Sequence, residues 1–206
     1  ADTEVYASRW NGQTWSAPWQ VSADGGKTHR NDYHPRLIVA GDGRPWLVWV
    51  GHQGGPDDEI YASHWTGAGW TAEQMVNQDD DLLDTRPSLA LGPDGRPWLA
   101  WLGHVAAGER STGRILFARW DPSLSAWTPE QLASSALGLS VEEGSPSLTV
   151  DGQGRLHLAW VATARGATAL AHAYWTGSGW AEPQAIHTGV AADMLALTSG
   201  DGQVTF

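Results

Sequence analysis

Three sets of polar residues stand at fixed places in this chain, and their types define the chemistry open to it. An acidic residue lies three positions before a proline in three places: Asp32 before Pro35, Asp84 before Pro87 and Glu143 before Pro146. Arranged around an axis, these carboxylates would ring a channel mouth and hold a cation or a polar ligand through hard oxygen atoms. Capping of nearby backbone N–H groups is the plainer use of an acid in a loop. The run Asp79-Asp80-Asp81, with Asn77 and Asp84, is a second, oxygen-rich set. It makes Asp79, Asp81 and Asp84 candidates for Ca²⁺, although the spacing and glycine of an EF-hand loop are missing. A solvated acidic loop is the alternative. The third set is His52 and His104, at equivalent places after an apolar strand, with His34 nearby in a linker. Such groups bind ligand hydroxyls or, for the imidazoles, a metal; polar side chains at a strand exit are the simpler account.

Catalytic signatures are absent from the sequence. It has no cysteine, which removes disulfides, thiolate zinc sites and cysteine nucleophiles. There is no phosphate-binding glycine loop, nucleophile elbow or HExxH. Carboxylate pairs for glycoside hydrolysis can be assembled from Asp57, Asp58 and Glu59 with the Asp32, Asp84 and Glu143 set, but no motif singles out a pair. The residues favour binding over catalysis and leave the enzyme question open.

The elements that must carry these residues emerge from the tryptophans. The chain has 206 residues, enough for one domain with its own core, and 14 of them are Trp. Trp10, Trp65, Trp120 and Trp175 recur every 55 residues. Each ends a short apolar stretch and precedes a turn and a second Trp, at 15, 70, 127 and 180. A second unit runs from Pro35 to Trp49, from Pro87 to Trp101 and from Pro146 to Trp160, with a worn copy from Asp193 to Phe206. Each full unit predicts four short strands; in the first they are Leu37–Ala40, Trp46–Val50, Glu59–Trp65 and Thr71–Val76. Gly41-Asp42-Gly43 makes the first hairpin turn, where glycine tolerates positive φ. A four-stranded meander repeated about every 50 residues is a β-propeller blade.

The chain begins in strand three of a unit and ends in strand two. The predicted architecture is therefore an all-β propeller of four four-stranded blades: 193–206 plus 1–21, 35–76, 87–132 and 146–187. Closure would pair the N-terminal strands three and four with the C-terminal strands one and two, and so remove exposed edges. A fragment of a larger ring is the alternative. Strand order puts the short turns on one face. On the other lie the loops 51–58, 103–113 and 162–169 and the linkers 22–34, 77–86, 133–145 and 187–193. A site is expected on that loop face, with Trp19, Asp32, His34, His52, Asp84, Arg86, His104 and Glu143 as its residues. Thirteen tryptophans occupy repeated places, which points to packing. Trp19 does not, which makes it the candidate platform for a sugar ring.

The turn Ser8-Arg-Trp10-Asn-Gly12-Gln-Thr14-Trp15 resembles the Asp-box of sialidase-type (BNR-repeat) propellers, Ser-x-Asp-x-Gly-x-Thr-Trp, with Trp in place of Asp. Ser63-His-Trp65-Thr-Gly67-Ala-Gly-Trp70 and Ala173-Tyr-Trp175-Thr-Gly177-Ser-Gly-Trp180 depart further from it. The W-x-G-x-x-W turn also looks like those of bacterial and fungal propeller lectins. The resemblance implies a non-catalytic, carbohydrate-binding propeller in the extracellular space or periplasm. Two alternatives stand beside it: a protein–protein interaction propeller serving a larger assembly, and a piece of a sialidase-like hydrolase. A net charge of −11 disfavours nucleic acid and anionic membrane as partners. No apolar run approaches the ~20 residues of a membrane span. The opening Ala1-Asp2-Thr3-Glu4, with no initiator Met or leader, reads as a processed start.

Overall fold

The computed structural model describes residues 2–23, 29–54, 57–105, 113–133, 140–141, 145–164, 167–188, 198–200 and 203–205. All regular structure among them is β. An N-terminal pair comprises β1 (Tyr6–Ala7) and β2 (Trp19–Gln20). The first complete meander is β3 (Asn31–Val39), β4 (Pro45–His52), β5 (Asp58–His64) and β6 (Gln74–Met75). The second is β7 (Leu82–Leu91), β8 (Pro97–Val105) and β9 (Arg114–Asp121), edged by β10 (Ala126–Trp127) and β11 (Gln131–Leu132). The third is β12 (Ser140–Val141) and β13 (Ser147–Val150), both against β14 (Leu156–Ala164), then β15 (Ala167–Tyr174) and β16 (Gln184–Thr188). The hairpin β17 (Thr198–Gly200) and β18 (Gln203–Thr205) follows.

Pairing within each meander is antiparallel and sequential, as the glycine turns require. At the first of them Gly43 has φ 79° and its N–H donates to the Ala40 carbonyl at 2.9 Å. One parallel pair, Asp58 with Leu83, stitches the first meander to the second. No sheet closes on itself, and the expected pairing of the terminal strands is not among the described ones. Glu143 and most of 193–206 lie outside the described residues.

The core lies in the seams between meanders. One cluster joins Trp46, Val48 and Ile60 to Leu99, Trp101 and Trp127; a second joins Trp98 and Phe117 to Leu158 and Trp160; a third sets Val5 and Val21 against Trp49 and Tyr61. The repeated tryptophans explain why the seams hold. Trp46 meets the edges of Trp120 and Trp127 at 4.7 and 5.9 Å, and Trp98 meets those of Trp175 and Trp180 at 4.9 and 6.4 Å. Edge-to-face indole pairs contribute about 0.5–1.5 kcal/mol each beyond the area they bury.

The first strand of the first unit departs from its predicted span. β3 starts at Asn31, not Leu37, so much of the stretch expected to be linker is sheet. It passes Pro35 through a bulge: Tyr33 faces Val50, yet Arg36 faces Val48. The same bulge lies between Thr85 and Ser88 in β7. A proline has no N–H to give a ladder, and a bulge removes the demand for one.

Candidate functional site

The two bulges create the most unusual backbone in the fold. His34 and Arg86, each directly before a proline, have φ of 53° and 56°. L-residues pay about 1–2 kcal/mol in that left-handed region, and a following proline disfavours helical conformations. These two side chains are thereby turned out of the sheet into one cavity of about 430 Å³. It is lined by Tyr33, His34, Arg36, Thr85, Arg86, Leu102, His104 and Ser145. Ser145, before Pro146, is the third member of the pre-proline set, and Arg86 Nη1 reaches its Oγ at 3.5 Å.

The cavity is cationic. It holds two guanidiniums and two imidazoles, and no carboxylate is among its described lining residues, in a chain of net charge −11. Two lining residues also carry buried polar atoms, Thr85 Oγ1 and His104 Nδ1, with no partner among the described residues. A buried polar atom left unpaired costs about 1–3 kcal/mol, which a bound polar ligand can recover. Tyr33 is fixed from behind: its hydroxyl donates to Asp58 Oδ2, and Asp58 Oδ1 lies 2.7 Å from His52 Nδ1. Burial raises the Tyr33 phenol, and its hydrogen bond to Asp58 adds to this, so the hydroxyl keeps its proton. The expected residues His34, Arg86 and His104 are thus brought together. His52 stands behind them, holding Asp58.

Asp32 and Asp84 do not line this cavity, contrary to the expectation of a carboxylate ring at the mouth. They are 4% and 0% exposed. Each faces a glycine across the sheet, Gly51 or Gly103, and accepts from the indole two residues before that glycine. Trp49 Nε1 lies 3.2 Å from Asp32 Oδ1, and Trp101 Nε1 lies 2.9 Å from Asp84 Oδ1. The acid three before the proline is a structural anchor for the buried strand-two Trp. Glu143 holds the same place 17 residues before Trp160.

The surroundings of the two anchors differ. Arg30 covers Asp32, with Nε 2.7 Å from Oδ1, and also holds Glu73 through Nη1 and Nη2 at 2.8 and 2.7 Å. Asp84 has no such cation among the described residues. Its Oδ2 accepts from Asn77 Nδ2, which also donates to Glu59 Oε2. Burial, then repulsion from Glu130, Asp80 and Glu59, pushes the Asp84 carboxyl up to about 8, against the Trp101 bond. Burial pushes Glu59 up to about 7; the Asn77 bond opposes this, while Asp57, Asp79 and Asp80 add to it. Of the proposed metal residues, Asp79 is brought beside Asp57 and Glu59, with one oxygen of each within 4.8 Å of the others. Asp81 is exposed, and neither it nor Asp84 joins that group.

Trp19 lies elsewhere. It pairs with Ala7 in the β1–β2 ladder and packs on Trp65 with ring centroids 5.2 Å apart. That places it at the short-turn end, in a cleft of about 420 Å³ with Trp10, Trp15, Leu37, Val39 and Trp70. The expectation that Trp19 shares the loop face with His34 and Arg86 is therefore corrected. Trp10 and Trp15 are 49% and 65% exposed. The Trp120–Trp127 and Trp175–Trp180 pairs each pack on a strand-two Trp of the preceding meander. This cleft holds the two pairs that have no such cover among the described residues.

Sequence reasoning missed Tyr33, Arg36, Thr85 and Ser145. Ser145 is the third pre-proline residue and the others lie within two residues of His34 or Arg86, and that placement was the available signal.

No family model matches the chain, and no curated protein matches it by sequence. Solved structures do match its fold. A Hadza microbial sialidase, Hz136, superposes with a TM-score of 0.64 at 11% identity, over 85% of this chain and 41% of its own. A polysaccharide lyase, Uly1, gives 0.59 at 14% identity, over 84% and 44%. An endo-arabinase from Bacteroides thetaiotaomicron gives 0.57 at 16%, over 87% and 70%. The chain thus spans less than half the length of the first two. At these identities the likeness is one of architecture: the fold is all-β and sialidase-like.

Proposed function

We propose that this chain is a carbohydrate-binding, lectin-like propeller, and that its ligand is an acidic glycan held at the cavity between β3, β7 and Ser145. One observation carries the reading: a cavity lined by Arg36, Arg86, His34 and His104, with no carboxylate among the described lining residues, in a strongly acidic chain. Arginine pairs with a sugar carboxylate or sulfate through paired N–H donors. The imidazoles and the Thr85 and Ser145 hydroxyls suit ring hydroxyls. Binding is favoured over catalysis because Asp58, the carboxylate that holds the lining Tyr33, has one oxygen engaged by Tyr33 and the other by His52. Tyr33, held protonated, is a poor base at neutral pH. The fold neighbours act on carbohydrates by their names, which is compatible with this reading. Acidic glycans lie at cell surfaces and in extracellular matrices, so the same reading places the chain outside the cytoplasm. It also completes the fold: the inner strands of the first blade would cover Trp65 and Trp70 in the aromatic cleft.

The test is a glycan array followed by titration calorimetry on the purified chain. Saturable, salt-sensitive binding to uronate-, sialate- or sulfate-bearing glycans is expected. Arg86→Ala and Arg36→Ala should each weaken it at least tenfold, since a hydrogen bond to a charged group contributes about 1.5–3 kcal/mol. Trp15→Ala, in the far cleft, should leave it unchanged. A blank array from a folded, monodisperse sample overturns the reading. So does binding that survives both arginine changes or is lost with Trp15.

A further inference from the structure

We infer that Asp57, Glu59 and Asp79 form a Ca²⁺ site that bridges the start of β5 to the segment entering β7. Three independent features lead there. The first is geometry: one carboxylate oxygen from each residue lies within 4.8 Å of the others. Oxygens bound to one Ca²⁺ at about 2.3–2.6 Å are separated by at most about twice that distance. The second is an unmet atom. Glu59 is 5% exposed, and its Oε1 is buried with no partner among the described residues. Its other oxygen is held by Asn77, which fixes the carboxylate. A buried, fixed carboxylate oxygen without a donor costs free energy that a cation would recover.

The third is a comparison internal to the fold. The anchor Asp32 is neutralised by Arg30, a buried guanidinium shared with Glu73. The equivalent anchor Asp84 sits beside Glu59 through Asn77, and no ion pair to a basic side chain reaches Asp57, Glu59, Asp79 or Asp84 among the described residues. Two positions before Asp32 stands Arg30; two before Asp84 stands Leu82. The second seam gathers acids where the first supplies a cation. All-carboxylate oxygen ligation selects a hard cation. Half-buried Asp57 and exposed Asp79 leave room for water in the irregular, high-coordination shell that Ca²⁺ accepts and Mg²⁺ does not.

The site would steady the binding face without touching ligand. Side chains alternate along a strand, so Glu59 projects opposite to Asp58, which holds Tyr33 at the cavity wall.

The experiment is calorimetric titration of CaCl₂ into the EDTA-dialysed full chain, with thermal unfolding in Ca²⁺ and in EDTA. Expected are one saturable site per chain, at least tenfold weaker heats for MgCl₂, and a melting temperature several degrees higher in Ca²⁺. Asp79→Asn, on an exposed loop, and Asp57→Asn should each weaken Ca²⁺ at least tenfold while both variants stay folded in EDTA. No saturable heat and no thermal shift overturn the proposal, as does Ca²⁺ binding undiminished in both variants. These readouts involve no glycan, so they stand or fall separately from the lectin reading.

Discussion

Replacing Arg86 by glycine should stabilise the fold while abolishing ligand binding, and the comparison with alanine makes the test sharp. Arg86 sits at φ 56° before Pro87. A non-glycine residue there costs about 1–2 kcal/mol. Glycine removes that cost but loosens the unfolded chain by about 0.5–1 kcal/mol relative to alanine. The difference favours glycine over alanine by about 0.5–1 kcal/mol. In an ordinary strand the order is reversed by a similar amount. Little else intervenes, because the only hydrogen bond described for the Arg86 side chain is the 3.5 Å approach to Ser145. In a domain of this size the difference is about 1–4 °C in melting temperature. His34, at φ 53°, should behave alike. The assay is urea and thermal unfolding followed by tryptophan fluorescence for the glycine and alanine variants at both positions, with glycan titration alongside. All four variants should lose ligand, and each glycine variant should outlast its alanine counterpart. Alanine variants as stable as the glycine ones at both sites would refute the idea that backbone strain is spent on aiming these side chains.

Other consequences follow from buried charge and close packing. Arg30→Met leaves Asp32 and Glu73 without their shared guanidinium; it should cost about 3–5 kcal/mol in urea unfolding, and a loss below 1 kcal/mol would show the pairs to be dispensable. Gly103→Ala would set a Cβ 2.8 Å from Asp84 Oδ1 and 2.9 Å from Leu116 Cδ1. About 1–3 kcal/mol should be lost, whereas Gly69→Ala, with nothing within 4 Å, is the neutral control. Burial lowers the imidazoles of His64 and His172. The unfolded chain then binds protons more readily than the folded one, so the stability they allow is whole above about pH 6.5 and declines as pH falls. Glu59 and Asp84, whose raised carboxyls take up protons in the folded chain, act in the opposite sense, so the imidazole contribution is read as a difference: the urea midpoint of a His64→Gln, His172→Gln double variant should gain on the parent's from pH 7 to pH 5, and an unchanged difference would show that these imidazoles carry no acid sensitivity.

The sequence made the strand order and the turns legible because both rest on local chemistry: glycine at positive φ, and tryptophan at a constant interval. The bridges Trp10 with Trp15, Trp65 with Trp70 and Trp175 with Trp180 formed where that interval placed them. The length of β3 was hidden because His34-Pro35 reads as a break, and only a bulge lets a ladder run through it. The role of Asp32 and Asp84 was hidden for another reason. Their partners stand 17 residues on, across a hairpin whose register is visible only in three dimensions. The grouping of Asp57 and Glu59 with Asp79 depends on how one meander crosses to the next, which no local pattern encodes.

Within a repeat, function is best sought where the repeat is broken. Places kept in register, such as Trp49 and Trp101 with their acids and glycines, answer demands that every seam makes alike. They are fully buried, and their partners repeat with them. The three pre-proline positions are different. They share one location yet carry His34, Arg86 and Ser145, three side chains with no common packing role, turned into one cavity. At His34 and Arg86 the same backbone demand with divergent side chains means that something other than the fold chose the residues. The seam around Asp84 breaks the repeat in the same sense: the acid anchor is kept, but the guanidinium that neutralises its counterpart is replaced by more acid. A fold tolerates an unneutralised buried carboxylate only at a cost. That cost has a physical rationale if a cation is supplied from solution, and the two departures meet on β5, where Asp58 serves the cavity and its neighbours Asp57 and Glu59 serve the seam.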